Sequence, residues 1–392
     1  MLLNFTKDEL EQLGAIHTAS EIAQQPTVWK KVMELIRDQQ NEIEEFLKFL
    51  NNNYSNVRVI LTGAGTSAYI GETVLPYLKQ NHQYNHFHYE AIPTTDLVSA
   101  PNYYFQKETP TLLVSFARSG NSPESLAASK LGEQIVSIFY QIIITCNEVG
   151  QLAIHTKNHN RSLLLLMPAE TNDLGFAMTS SFTSMLLAAS LIFQTNQLEP
   201  ISHTLNSLTS EAHSFFCNYS ETIDEMAKRN FDRIVYLGSA IFQGLAKESA
   251  LKMLELTSGK TIAVYESPLG FRHGPKSFIN DHTVIVFYLS NDPYTQKYEL
   301  DMMKEIFQQS LNVTTIALVQ QATDEIKNHC DYCIEFAGEK VHDMHLAFLY
   351  ILFAQTLAFK KSIQLGIQPD HPSPKGIVHR VVQGVNIYPY PH

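Results

Sequence analysis

The feature that most restricts the fold is an order of elements that occurs twice. Residues 57–62 (VRVILT) pass directly into GAGTS and a helical pattern to about residue 78, and residues 111–115 (TLLVS) pass into FARSGNSPES and a helix to about residue 132. In the second half, residues 234–237 (IVYL) lead into GSAIFQG and a helix, and residues 283–289 (TVIVFYL) into SNDPYT and a helix. Val59 aligns with Ile234, Val114 with Val286 and Ile143 with Thr315. Further near-continuous apolar runs lie at 142–146, 163–167, 314–319 and 332–336. Short apolar runs of this kind, alternating with helices, read as strands buried on both faces and therefore as parallel sheets covered by helices. The expected fold class is α/β, built by duplication of a five-element unit.

The remaining boundaries follow from pattern changes. Residues 1–53 carry apolar positions every three to four residues, at Val28, Val32, Leu35, Ile36, Ile43, Phe46, Leu47 and Leu50, and read as helical, with Pro26 near a helix start. The expected division is a helical segment over 1–53, a first unit over 54–200, a helical linker over 201–230, a second unit over 231–367 and a closing tail over 368–392. Residues 180–193 and 342–359 read as strongly apolar helices. A formal net charge of −11 argues against nucleic acid and against an anionic membrane surface as partners, and means that an anionic substrate needs local help. The acidic, periodic start does not read as a signal peptide, and the longest apolar candidate for a span, residues 347–359, is interrupted by Tyr350 and Gln355. A cytoplasmic protein is expected. Of the four cysteines, Cys330 and Cys333 form C-x-x-C, read as structural with redox as the lesser alternative.

Two loops and one helix carry the chemistry. Gly63-Ala64-Gly65-Thr66-Ser67 lies between a strand and a helix, where backbone N–H groups and the helix dipole accept an anion. Ala68 excludes a dinucleotide fingerprint, and a capped tight turn is the plainer alternative. Arg118-Ser119-Gly120-Asn121-Ser122-Pro123-Glu124-Ser125 is stronger: hydroxyls, free amides and a guanidinium together make a phosphate cradle. Both loops follow strands and should face one crevice. Their second-half counterparts have lost most of these hydroxyls. Within residues 246–278, Lys252 and Glu255 share a helix face and His273 sits in RHGP. That trio reads as acid/base equipment, whereas the plainer alternative takes Glu248, Lys252 and Glu255 as a solvated charged stripe. His82, His86 and His88 lie in a polar loop, and His342 and His345 lie one turn apart on an apolar helix. A surface cluster and core histidines are favoured over metal ligands for these two groups. Tyr294 and Tyr298 read as packing or substrate-wall residues.

Taken together, GTS, the R/Q-SG-x-S/T loop, LK-x-x-E and HGP resemble a pair of sugar isomerase (SIS) domains, and the layout is similar to the isomerase part of glucosamine-6-phosphate synthase. More closely, HTASEIAQQP, SFARSGNSPES, ESPLGFRHGPKSF, SNDPYT and the terminal PSP, RVVQGV and IYP resemble the AgaS-type galactosamine-6-phosphate deaminase/isomerase family, also called tagatose-6-phosphate ketose/aldose isomerase. The resemblance implies two tandem SIS domains, each a flavodoxin-like parallel sheet between helix layers. It implies that Gly65, Thr66, Ser67, Arg118, Ser119 and Ser122 hold the sugar phosphate. Glu255 would move the proton between C1 and C2, His273 would open the ring, and Lys252 would polarise the reacting centre. His379 aligns with a C-terminal lysine of the synthase, as an acid/base group or a contact. Ala117 and Arg118 stand where the synthase has serine and glutamine, so the cradle is built differently. No glutamine-hydrolysing domain precedes the first unit, which favours ammonia release. The implied reaction converts D-galactosamine 6-phosphate into D-tagatose 6-phosphate and ammonia, with an aldose-ketose isomerase or a non-catalytic sugar-phosphate sensor as alternatives. No cofactor or metal is expected. A homodimer or larger homo-oligomer is, with His273 serving its own or a neighbouring subunit, and neither SIS unit is expected to be active alone.

Overall fold

The computed structural model describes residues 1–391 except His82, Asn158, Ser310 and Gln383. Two compact bodies emerge, one comprising residues 27–173, 178–202 and the tail from Lys375, the other residues 1–26, 174–177 and 203–374. The first body holds strands β1 (Val57–Thr62), β2 (Phe87–Ala91), β3 (Thr111–Ala117), β4 (Phe139–Thr145) and β5 (Ser162–Leu166). They form one parallel sheet in the order β2-β1-β3-β4-β5, with Leu61 opposite Ala91 and Thr62 opposite Ser115. The second body holds β6 (Arg233–Gly238), β7 (Ile262–Glu266), β8 (Thr283–Tyr288), β9 (Thr314–Val319) and β10 (Tyr332–Glu335), again parallel, in the order β10-β9-β8-β6-β7. Counted from its own first strand, each sheet has the order 2-1-3-4-5. The direction of winding reverses between the first and third strands, and the ligand crevice of such a sheet opens beyond their carboxyl ends.

Burial explains why the strand sequences lack alternation. Every residue of β1, β3, β4 and β8 is buried, as a central parallel strand covered on both faces requires. Helix Ser180–Ile192 is buried at all positions and packs on helix Thr66–Gln80, so neither neighbour nor solvent selects a polar face for it. In the second body, helix Asp343–Gln364 packs against helix Ile241–Leu256. By length and composition this 22-residue helix could cross a membrane, but its apolar stretch is enclosed by the protein and serves as core.

Two local expectations are corrected. Residues 81–90, read as a polar loop, contain the edge strand β2, in which His88 is exposed while Phe87 and Tyr89 point inward. A fork from Arg58 pins this edge, Nε and Nη2 donating to the two carboxylate oxygens of Glu90 at 2.8 and 2.9 Å. Pro26 does not start a helix but lies inside helix Ile16–Asp38. A proline there leaves the Ile22 carbonyl without its usual amide, and the Gln25 side chain supplies the missing donor at 3.0 Å. The segment expected to be a helical linker falls almost wholly within one continuous 31-residue helix, Leu198–Lys228.

Candidate active site: a phosphate cradle and an acid/base helix

The first body assembles Ser67, Arg118, Ser119 and Ser122 around one small cavity of about 110 Å³, together with Ala64, Gly120, Ser125 and Met178. Its floor is set by backbone conformation. Gly65 sits at φ 56°, ψ −127°, turning the chain sharply from β1 into helix Thr66–Gln80, and Gly63 leaves no room for a Cβ against Ser67. After β3, Gly120 at φ 65° makes the corresponding bend. The loop is held from below: the Asn147 amide donates to the Ser119 carbonyl at 2.8 Å, Leu152 N–H to the Gly120 carbonyl at 3.0 Å and the Thr145 hydroxyl to the Ala117 carbonyl at 2.6 Å. Ser122 caps helix Pro123–Ile135, accepting from Ser125 N–H and donating to the Ser125 hydroxyl at 2.7 Å. Two helix N-termini, four hydroxyls and the buried guanidinium of Arg118 therefore surround a space far smaller than a whole-ligand pocket and suited to an anionic group. Gly65 and Thr66 shape the turn without lining the cavity. Ser125, which does line it, completes the set of hydroxyls in that loop.

The second body carries the titratable trio. On helix Ile241–Leu256, Lys252 is fully buried, and its ammonium lies 2.5 Å from Glu255 Oε2 and 3.4 Å from Glu248 Oε1. Glu248 is buried completely, whereas the Glu255 side chain keeps 25% exposure. The pattern is not a solvated stripe: two of the three charges, Glu248 and Lys252, are enclosed, and only Glu255, at the C-terminal end of the face, is presented outward. The enclosed ammonium fixes the position of the Glu255 carboxylate through this short contact. His273 lies on an exposed turn between helix Pro268–Phe271 and the short turn of 3-10 helix Pro275–Phe278. Gly274, at φ 121°, gives the chain a conformation that L side chains avoid.

Both halves of this equipment and both sheets point to known relatives. An SIS domain is recognised over residues 54–194 and again over 226–363. D-galactosamine-6-phosphate deaminase AgaS of Shewanella sp. (strain ANA-3) is 40% identical over 388 residues, covering 99% of this chain and 96% of its own length. The chain belongs to the SIS-domain family. A crystal structure from Clostridium novyi NT matches with a TM-score of 0.96 and 45% identity, over 100% of this chain and 99% of that one. The crystal structure of tagatose-6-phosphate ketose/aldose isomerase from Escherichia coli matches with a TM-score of 0.87 and 39% identity, over 95% and 96% of the two chains.

Other residues of this SIS protein take different places. His379 is exposed on the tail and does not line the cradle cavity; its neighbours Arg380, Val381 and Val382 do. His342 caps helix Asp343–Gln364 by accepting from Met344 N–H, and burial pushes His345 down to about 4. His86 Nδ1 contacts the Asn51 carbonyl at 2.8 Å, while His82 lies outside the described residues. Among the described residues no group of three or more His, Cys, Asp or Glu is arranged to hold a metal. Cys330 and Cys333 are half-buried and packed against the core of the second body, Cys330 donating to the Ile326 carbonyl at 3.3 Å, and Tyr294 and Tyr298 join hydroxyls at 2.8 Å in an exposed position. Sequence reasoning missed Asp173 and Arg380, and placed Glu248 only in a charged stripe. Glu248 was visible as a partner of Lys252 one helical turn earlier, but Asp173 and Arg380 offered no local signal.

Proposed function

We propose that the chain deaminates and isomerises an amino sugar 6-phosphate, converting D-galactosamine 6-phosphate and water into D-tagatose 6-phosphate and ammonia. The observation that carries this reading is the buried Lys252 ammonium that holds the partly exposed Glu255 side chain in place in a chain similar end to end to D-galactosamine-6-phosphate deaminase. Gly65, Thr66, Ser67, Arg118, Ser119 and Ser122 form the anchor, holding the 6-phosphate so that C1 and C2 are presented in one register. His273 transfers the ring proton that frees the aldehyde. Glu255 then removes the C2 proton, which the adjacent carbonyl acidifies, and delivers one to C1, leaving a ketimine at C2. Water adds at C2, ammonia departs, and the ketose 6-phosphate remains. Lys252 acts through Glu255, and His379 assists as an acid/base group or contact of the tail. Proton transfer by a placed carboxylate contributes about 10²- to 10⁴-fold.

The decisive experiment is ammonia release from a panel of hexosamine 6-phosphates, with Glu255→Gln as control. The reading requires turnover of at least one by wild type and its loss in the variant with sugar-phosphate binding kept. Folded wild-type protein inert toward all of them would refute it. The similarity to a tagatose-6-phosphate ketose/aldose isomerase favours one second reading, aldose-ketose isomerisation of a hexose 6-phosphate by the same steps. Comparing 2-amino with 2-hydroxy substrates separates the two. The proposal includes a cytoplasmic homo-oligomer, to be measured by sedimentation.

A further inference from the structure

We propose that Arg380 is a positioning residue for the phosphate cradle, acting through Arg118; this rests on the phosphate-sugar reading above. Arg380 Nε donates to the Asp173 carbonyl at 3.0 Å, its Nη2 donates to the same oxygen, and Nη2 also reaches Asn172 Oδ1 at 3.4 Å. These bonds pin the tail beside the cavity. The carbonyl of Arg380 then accepts from Arg118 Nη2 at 2.7 Å. The carboxylate of Asp173 is fully buried and receives the N–H groups of Thr179, Ser180 and Ser181 at 2.8, 3.2 and 2.9 Å. Arg118 and Asp173 are near enough for their charges to interact. Arg118 is thus held by a carbonyl of the tail, within electrostatic reach of the Asp173 carboxylate.

An arginine left to itself loses much rotamer freedom when it grips an anion, so a guanidinium already fixed binds at lower entropic cost. Arg380, Val381 and Val382 also wall the cavity that Ser67, Ser119 and Ser122 line. The tail is tied down beyond this point: the Tyr390 carbonyl accepts from Gln134 on helix Pro123–Ile135, the helix whose start is the cradle, and the Tyr390 hydroxyl bonds Asn102. The tail therefore contributes to binding through Arg380's grip on Asp173 rather than through a charge of its own on the phosphate.

The test is titration of inorganic phosphate and galactosamine 6-phosphate into full-length wild type, R118A, R380A, R380K and the double variant R118A/R380A, with thermal unfolding as the fold control. R380A is expected to weaken both ligands roughly tenfold or more, the loss typical of a hydrogen bond to a charged group, and R380K to recover part of that loss. The double variant should bind no more weakly than R118A, because one residue acts through the other. In turnover, R380A should raise KM much more than it lowers kcat. Wild-type phosphate affinity in R380A, or penalties of the two single variants that multiply in the double, would overturn the proposal. Should R380A lose its fold, R380K and R380Q carry the same cycle. Unchanged phosphate affinity in R118A would instead overturn the cradle reading on which the proposal stands.

Discussion

Lys252 sits where water does not reach, between Glu248 and Glu255, and its removal has two separable consequences. K252M leaves two neighbouring carboxylates without their cation, a change that costs about 3–5 kcal/mol when a buried pair is broken. Urea denaturation should show that loss, and turnover should fall with it because Glu255 is no longer held. The double variant E248Q/K252M should recover much of the stability and little of the activity. A second buried acid titrates where it can be measured. Burial pushes Glu299 up from the ordinary 4.5 to about 7, against the hydrogen bonds from Ser290 N–H and Ser239, and the carboxylates of Asp343 and Asp292 push the same way. The folded chain therefore binds a proton that the unfolded chain has lost above 4.5, and the stability this gives disappears as pH rises through 7. His345, pushed down to about 4, works in the opposite sense over part of that range. The difference between E299Q and wild type cancels the histidine: it should move in favour of E299Q by on the order of 3 kcal/mol between pH 4.5 and pH 8, read by chemical denaturation at each pH.

The two copies of the strand-turn-helix element have kept one backbone shape with different chemistry. Gly65, at φ 56° and ψ −127°, has as its counterpart Ala240, at φ 49° and ψ −112°, and both open the helix that follows the first strand of their sheet. A non-glycine residue there stores of order 1–3 kcal/mol of strain. A240G should therefore stabilise the protein by about 1 kcal/mol after the entropic cost of glycine, a rise of a few degrees in Tm. The cradle amides have diverged similarly. In the second copy, Ser290 N–H is taken by Glu299 at 2.7 Å and Asn291 N–H by Asp343 at 2.7 Å, so the groups that face a cavity in the first copy meet internal carboxylates here. The loss of hydroxyls from SNDPYT was legible in the sequence, and so were the central strands, because burial on both faces writes itself as an unbroken apolar run. The edge strand β2 was not, since its one buried face is carried by Phe87 and Tyr89 among His and Glu residues. Nor was the helical Pro26, whose rescue by Gln25 is a side-chain bond that no periodicity announces.

At the scale of the whole molecule, the duplicated chain divides its proposed labour: the first SIS copy carries the hydroxyl and arginine cradle, the second the Lys252–Glu255 pair and His273. The motifs of that division were legible because each lies within one loop or helix. The contact that completes the cradle was not, because Arg380 and Asp173 stand 207 residues apart and meet only after the tail has been laid down. The division makes a kinetic prediction that does not depend on stability. The double variant S119A/S122A weakens the hold on a remote phosphate, so its main effect should be a higher KM for galactosamine 6-phosphate. E255Q removes a group used only when the proton moves, so kcat should drop about 10²- to 10⁴-fold with KM nearly unchanged. Unphosphorylated galactosamine sharpens the contrast. It has no phosphate for the cradle to hold, so wild type and the serine variant should process it at the same slow rate, whereas E255Q should be inactive on it. Equal losses in the two variants on both sugars would mean that anchoring and proton transfer are not separate tasks in this chain.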